Sequence, residues 1–313
     1  MASKEYPPGN QPGKSLEQTH VALDFNRIQK PARKLRKLLK KMPADPGPGD
    51  VHDFRTQSRQ LEANLQAFRL DSRRLGRRIL QPLSRLRKRA GKVRDMDVLT
   101  GFASRVPAEQ GEQECSIRLL EYLGARRDKY AGKFHAACRR DRPKLRRRLN
   151  KGKRKLARLE ARLNPNGPNR DPRLVDAPAL ALELASELSR TPRLNRANLH
   201  PFRLKVKELR NVLKLADIPD QAMIHTLGEV KDSIGEWHDW EELVGIAAKA
   251  LDHGAQCSLI RQLKQTTQKK YETALAQAER LRKRYLGVGK KSRGTKEPVA
   301  AKPVLSAAMK LVA

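Results

Sequence analysis

Apolar residues recur at intervals of three and four positions along most of the chain, which is the spacing of an amphipathic α-helix. No stretch shows a convincing alternation of apolar and polar residues, the pattern that would indicate a strand. The predicted fold class is therefore all-α. The pattern predicts helices over about 23–42, from Asp50 to Phe68, 72–94, 109–140 with a basic continuation to 163, 177–189, from His200 onward, 220–235 and 258–285.

Proline, glycine and asparagine mark the places where this pattern is interrupted. The sequence PADPGPG at 43–49 ends the first helix, and Asp50 behind it is the expected N-cap of the second. Pro82 lies inside the third helix, where we expect a kink or a break. The strongest linker signal is NPNGPN at 164–169. The predicted organisation is a disordered segment at 1–19, a helical domain at 20–286 with a linker at about 164–176, and a disordered basic tail at 287–313.

One short pattern occurs twice, beginning at His52 and at His200. In both copies the histidine is followed by phenylalanine at +2, arginine at +3 and a cation at +7. On a helix the histidine and these two cations lie on one face, so each copy forms a stripe of positive charge. The cations of the two stripes are Arg55, Arg59, Arg203 and Lys207.

Further landmarks repeat at nearly the same distance as the two histidines, which are 148 residues apart. Gly91 and Gly235 are 144 residues apart, and so are Asp95 and Asp239. Landmarks that return in the same order indicate an internal duplication. The predicted architecture is a pair of four-helix bundles, about 20–163 and 177–286. A pseudo-twofold axis between them would bring the two stripes together around a basic channel.

Charge narrows the class of partner. The 313 residues include 68 Lys and Arg against 34 Asp and Glu, a formal net charge of +34. Such an excess favours a polyanionic partner, for which nucleic acid, an anionic membrane surface and an inorganic polyanion are the candidates. No apolar run approaches the roughly 20 residues that span a bilayer. Three scattered cysteines fit a reducing compartment, so we expect a cytoplasmic protein.

The repeated segments resemble the CHAD domain family, helical domains named for their histidines. Four segments carry the resemblance, in order, over roughly residues 20–286. They are VHDFR at 51–55 with Arg59, GKVRDMDVL at 91–99, LHPFR at 199–203 with Lys207 and LR at 209–210, and LG at 227–228 through WHD at 237–239. The resemblance implies two four-helix units around a basic central channel that binds inorganic polyphosphate, without catalysis.

The chemistry of the stripes agrees with that implication. Arginine binds phosphate through a bidentate fork and lysine as a point charge, and both act best from rigid helices. The two histidines have two interpretations: they donate to a phosphate oxygen, or they pin the starts of their helices. We favour ligand contact and keep both interpretations open. The predicted ligands on these helices are His52, Arg55, Arg59, His200, Arg203, Lys207 and Arg210.

Other basic residues are ambiguous. Arg33, Lys37 and Lys40 form a charged face of the first helix that is either solvated or part of the anion site. The resemblance makes these two interpretations about equal, and the three residues are included among the predicted ligands. The basic run at 144–155 is either a solvated face or a flanking anion patch, and the sequence does not separate the two.

Acidic residues near Arg94 raise the question of a metal or a catalytic site. Asp95 and Asp97 are two positions apart and therefore do not share a helix face. The acids and histidine at 236–242 have no matching His or Cys set elsewhere. These acids are more simply interpreted as groups that orient neighbouring cations or cap a helix, and Arg94 remains a predicted ligand. Without a phosphate-binding loop or a nucleophile elbow, no enzyme activity, metal or cofactor is predicted.

The predicted function is non-catalytic binding of inorganic polyphosphate, with targeting to polyphosphate or storage granules as an extension. The alternative is a nucleoid-associated protein whose basic tail contacts DNA or RNA. The low number of aromatic residues and the lack of a base-reading motif count against this alternative. An enzyme that cleaves or synthesises polyphosphate ranks below both. Residues 300–313 carry apolar positions that would suit a short helix docking on a granule surface.

Overall fold

The computed structural model describes residues 26–67, 70–71, 73–107, 113–162, 177–215, 220–251 and 257–287. The predicted terminal segments and the linker at 164–176 lie outside these ranges, apart from Gly287. Within them the regular structure is entirely helical, which confirms the all-α prediction, and none of the helices could cross a membrane. The helices are α1 (Asn26–Lys41), α2 (Pro48–Ala67), α3 (Arg74–Ala103), α4 (Gln113–Arg162), α5 (Ala177–Ser189), α6 (Arg196–Leu215), α7 (Gln221–Ala250) and α8 (Ser258–Tyr285).

Two helices are longer than the sequence pattern predicted. α3 and α7 each have 30 residues and continue past 94 and 235, where their ends were expected. Both continue because their apolar positions continue: Met96, Leu99 and Ala103 are buried on α3, as are Trp240 and Leu243 on α7. The segments at 91–99 and 235–240 are therefore rigid helix, which matters for the side chains they carry.

Pro82 does not break α3, contrary to one of the two expected outcomes. A proline inside a helix leaves the carbonyl oxygen four residues earlier without its usual donor. Here that oxygen belongs to Arg78, and Arg148 Nη1 of α4 donates to it at 2.7 Å. The neighbouring helix thus supplies the missing hydrogen bond. Arg148 belongs to the basic run at 144–155, so this member of the run has a structural contact.

The start of α2 also differs from the expectation. Asp50 is the third residue of the helix, and its Oδ2 accepts from the backbone N–H of Gly47 at 3.2 Å. This is the reach back of a capping box, so Asp50 supports the start from within the helix and is not the N-cap. Pro48 occupies the first helical position, where its missing N–H costs nothing.

Three apolar cores hold the helices together. One is shared by α1 to α4 and includes Phe54, which lies 5.3 Å from the ring of Phe134. A second is shared by α5 to α8 and includes Phe202. The third lies where α3 and α4 contact α7, and there Trp240 stacks on Phe102 at 4.8 Å between ring centroids. We call this third cluster the joining core, because it fixes the two groups of helices to each other.

The three cysteines lie within the described residues and are all buried without forming disulfides. Burial raises the pKa of the Cys138 thiol to about 12, so this thiol stays protonated at neutral pH. Cys138 lies in the core of α1 to α4, and Cys115 and Cys257 lie in the joining core, so all three act as small apolar groups.

Leu243 tests the contribution of the joining core, in which it is fully buried. Leu243→Ala should lower the free energy of unfolding by about 2–5 kcal/mol, because it removes apolar contacts and leaves a cavity. Urea denaturation measures this change. Leu204 on α6 is 49% exposed and serves as the control. Leu204→Ala should change the free energy of unfolding by less than about 0.5 kcal/mol. Equal effects of the two substitutions would contradict the importance of the joining core.

Candidate anion-binding site

The stripes of α2 and α6 lie close to each other. Arg203 lowers the pKa of Arg59, and Arg59 in turn lowers the pKa of Lys207, although these side chains come from different groups of helices. Charges change one another's pKa in this way only at short range. We call the residues connected in this way the cation cluster: Arg55, Arg59, Arg87, Arg94, Arg203 and Lys207.

Desolvation is the largest electrostatic effect in the cluster. Burial lowers the pKa of Arg55, Arg59, Arg203 and Lys207, because a charge is less favourable where protein replaces water. Arg59 nevertheless keeps an exposed surface, while Arg55 and Lys207 are half-buried. The cluster therefore presents crowded positive charge that a ligand can reach.

Arg203 is held against α7 by a hydrogen bond to the main chain. Its Nε donates to the carbonyl oxygen of Lys231 at 3.0 Å. A Cβ at Gly235 would lie 2.8 Å from Arg203 Nη2, so the guanidinium occupies space that only glycine leaves free. Arg55 approaches α3 in the same way, since a Cβ at Gly91 would lie 2.6 Å from its Nη1. These contacts give a physical reason for glycine within both helices.

Arg94 connects the two groups of helices. Its Nη1 donates to Asp239 Oδ2 at 3.2 Å and lies 3.4 Å from Asp95 Oδ1. Burial raises the pKa of Asp239, and the neighbouring Arg94 partly opposes that effect. This geometry agrees with the interpretation of these acids as groups that orient a cation. Asp97 has a different partner, because Arg127 Nε donates to its Oδ1 at 3.0 Å.

The two predicted histidines differ in their surroundings. His52 is exposed, and its Nε2 lies 3.4 Å from Thr56 Oγ1. The ring of His200 lies 4.7 Å from that of His238, and its buried Nδ1 has no hydrogen-bond partner among the residues that the structure describes. Burial lowers the pKa of His200, and the neighbouring His238 and Arg203 lower it further.

Asn195, and not His200, caps the start of α6. Asn195 Oδ1 accepts from the backbone N–H groups of Ala197 and Asn198 at 2.9 and 3.2 Å, as an N-cap does. His200 lies one turn further into the helix, and His52 is likewise the fifth residue of α2. The two histidines are therefore not the residues that cap their helices.

The remaining predicted ligands are not members of the cation cluster. Arg33, Lys37 and Lys40 are exposed on α1, which packs on α2 and α4. No contact among the described residues brings these three side chains to the cluster. Arg210 is half-buried on α6, and its Nε donates to the carbonyl oxygen of Ile224 at 3.2 Å.

Arg87 is the member of the cluster that the sequence patterns did not single out. It lies half-buried on α3, its Nη2 is 2.6 Å from Glu62 Oε2, and its charge lowers the pKa of both Arg59 and Lys207. The sequence did contain one feature that points to Arg87. Arg87 precedes Gly91 by four residues, as Lys231 precedes Gly235, so each half has a cation one turn before its glycine.

Acidic side chains near the cluster do not form a metal-ligand set among the described residues, where no group of three or more His, Cys, Asp or Glu is arranged to hold an ion. Burial raises the pKa of Glu242, and the nearby Asp95 raises it further. Glu242 and Asp239 therefore favour protonation more than ordinary carboxylic acids do, which weakens rather than strengthens a cation site.

These features define an all-helical domain with a cluster of cations between two groups of packed helices. The family model of the CHAD domain matches residues 26–248, and the chain belongs to the CHAD domain family. The solved structure of PptA from Streptomyces chartreusis shares the fold, with a TM-score of 0.59 at 15% identity, over 83% of this chain and 98% of that one. No curated protein matches the chain.

Gly235 tests the anchor of Arg203. Gly235→Ala places a methyl group against the guanidinium and should displace it from Lys231, so the usual gain of alanine over glycine in a helix, about 0.5–1 kcal/mol, should be lost. Gly245→Ala in the same helix is the control, because the added Cβ would meet no other described residue within 4 Å, its chain neighbours and the backbone of its own helix aside. Urea denaturation should show stabilisation for Gly245→Ala only. Equal stabilisation would contradict the close approach of Arg203.

His200 predicts a pH dependence of stability. Because its pKa is lowered in the folded chain, the unfolded chain binds more protons at pH values just below the ordinary histidine pKa of about 6.5. The stability that neutral His200 permits is therefore present above about pH 6.5 and decreases as the pH falls through its lowered pKa. An NMR titration of the His200 ring measures its pKa in the folded chain. A pKa at or above the ordinary histidine value would contradict the prediction.

Proposed function

We propose that this protein binds inorganic polyphosphate, without catalysis, at the cation cluster. The observation that carries the proposal is that the stripes of α2 and α6 lie close together: besides the larger effect of burial, Arg203 lowers the pKa of Arg59, and Arg59 lowers the pKa of Lys207. Charges that repel one another in this way favour a polyanion, which offsets the repulsion. Phosphate suits the arrangement, because arginine presents a planar fork to its oxygens.

Membership of the CHAD domain family supports polyphosphate over nucleic acid, since the resemblance implied that ligand. The aromatic residues also support it. Trp237 and Trp240 are buried, so neither offers a surface on which a base could stack. A linear chain of phosphates needs only charge and hydrogen-bond donors, and these are what the cluster presents. Nucleic acid remains the alternative, favoured by the net charge of +34.

We also propose that the two groups of helices are copies related by a pseudo-twofold axis, with the cluster lining a channel between them. Corresponding helices support this: α2 and α6 have 20 residues each, and α3 and α7 have 30 each. The contact of Arg55 with Gly91 also matches that of Arg203 with Gly235. A duplicated site would present its cations from both sides of one bound chain.

The absence of catalysis is part of this proposal. The acids nearest the cluster have cationic partners: Asp239 contacts Arg94, and Glu62 contacts Arg87. Acids engaged in this way orient cations, which is a role in binding. Association with polyphosphate or storage granules would follow from the same ligand, because a granule presents many phosphate chains to one cluster.

Charge reversal of the cluster tests the function. The variant with Arg55, Arg59, Arg203 and Lys207 changed to Glu should bind long-chain polyphosphate at least about 100-fold more weakly, because charge-assisted hydrogen bonds are replaced by repulsion. Binding is measured at physiological salt, with helix content checked by circular dichroism. The control carries the same change of charge at four exposed residues of α8, which are Arg261, Lys264, Lys269 and Lys283.

The control variant should lose much less affinity than the cluster variant. Equal losses would show that only the net charge matters, and wild-type affinity in the cluster variant would refute the site. Competition separates the two ligands. Duplex DNA at an equal phosphate concentration should leave polyphosphate bound, and efficient displacement would favour the nucleic-acid alternative.

A further inference from the structure

The anchor that holds Arg203 is repeated two turns further along α6. Arg210 Nε donates to the carbonyl oxygen of Ile224 at 3.2 Å, and a Cβ at Gly228 would lie 3.2 Å from that same nitrogen. Arg210 follows Arg203 by seven positions on α6. On α7, Ile224 and Gly228 precede their counterparts, Lys231 and Gly235, by seven positions. A second arginine therefore lies against α7 with the same kind of hydrogen bond and a somewhat looser approach to a glycine.

Two lysines lie close to this second anchor. Lys214 is exposed in the last turn of α6, and Arg210 and Lys231 both lower its pKa, after the larger effect of burial. Lys231 also contacts the exposed carboxylate of Asp232, at 2.5 Å. We call Arg210, Lys214 and Lys231 the α6–α7 subsite.

The subsite continues the stripe of the cation cluster. Arg210 follows Lys207 by three positions and precedes Lys214 by four, so the three side chains share one face of α6. The rise of a helix places Lys214 about 10 Å beyond Lys207. A linear polyanion bound at the cluster would reach this subsite simply by continuing along the helix.

On α2, in the other group of helices, an acidic residue occupies the position that corresponds to Arg210. At the offset of 148 residues that relates His52 to His200, the counterpart of Arg210 is Glu62. Glu62 lies 2.6 Å from Arg87 and is close enough to Lys207 to raise its pKa. A carboxylate there neutralises one cation of the cluster and repels an incoming phosphate.

We propose that the α6–α7 subsite binds the part of a polyphosphate chain that leaves the cation cluster, and that Glu62 prevents the chain from leaving by the equivalent path along α2. The inference rests on the proposed function and adds a direction to it. The ligand class is a linear polyphosphate longer than the cluster alone can hold.

Lys214→Glu tests the subsite, with Lys264→Glu on the exposed side of α8 as the control for net charge. Calorimetric titration with long-chain polyphosphate should show about 10-fold weaker binding for Lys214→Glu than for the control, as expected for one charge-assisted contact. Tripolyphosphate, which is too short to extend along α6, should bind both variants alike. Equal losses for the long chain would overturn the subsite.

Glu62→Gln tests the closed path, with Glu121→Gln on α4 as the control. Removing the carboxylate frees Arg87 and should raise the affinity for long-chain polyphosphate several-fold above that of the control. An unchanged or lower affinity would overturn the role of Glu62. Failure of the wild-type chain to bind polyphosphate would instead remove the proposed function. Loss in the cluster variant, together with equal behaviour of Lys214→Glu and Lys264→Glu, would remove only the subsite.

Discussion

Mutual repulsion among the cations around Arg94 is the constraint on which the rest of the molecule depends. Arg94 donates to Asp239 at 3.2 Å across the two groups of helices. Beside it, Arg203 lowers the pKa of Arg59, and both of these arginines lower the pKa of Lys207, in addition to the larger effect of burial. Such charges stay together only if their helices cannot separate. The joining core, in which Trp240 stacks on Phe102, provides that restraint, so apolar packing stabilises an arrangement that electrostatics alone would disperse.

The anchoring of arginine to glycine makes the cluster selective as well as charged. Arg203 uses its Nε for the carbonyl of Lys231 and lies over Gly235, which fixes the plane of the guanidinium. A lysine could not be oriented in this way, because its ammonium group has no plane. Fixed forks favour a ligand with many equivalent oxygens, and this is why we place phosphate ahead of other anions.

The two halves of the site are not equivalent. Arg210 and Lys214 extend the positive face on α6, whereas Glu62 interrupts it on α2 and contacts Arg87 at 2.6 Å. In the duplication that we propose, this difference between the two copies gives the site a direction. One end of the cation cluster is open to a long phosphate chain in the proposed arrangement, and the other is closed by the carboxylate of Glu62.

The sequence by itself determined the helices and the two stripes. Both are local properties: a period of three and four places apolar residues on one side, and spacing of +3 and +7 from His52 and His200 places the cations on another. Tertiary structure decided which charges meet. Arg94 and Asp239 are 145 residues apart, and the one sequence feature of Arg87, its place four residues before Gly91, does not show that it lies near Arg59 and Lys207. The continuation of α3 beyond residue 94 and of α7 beyond Gly235 was also missed, because the reason for Gly91 and Gly235 is an arginine from another helix.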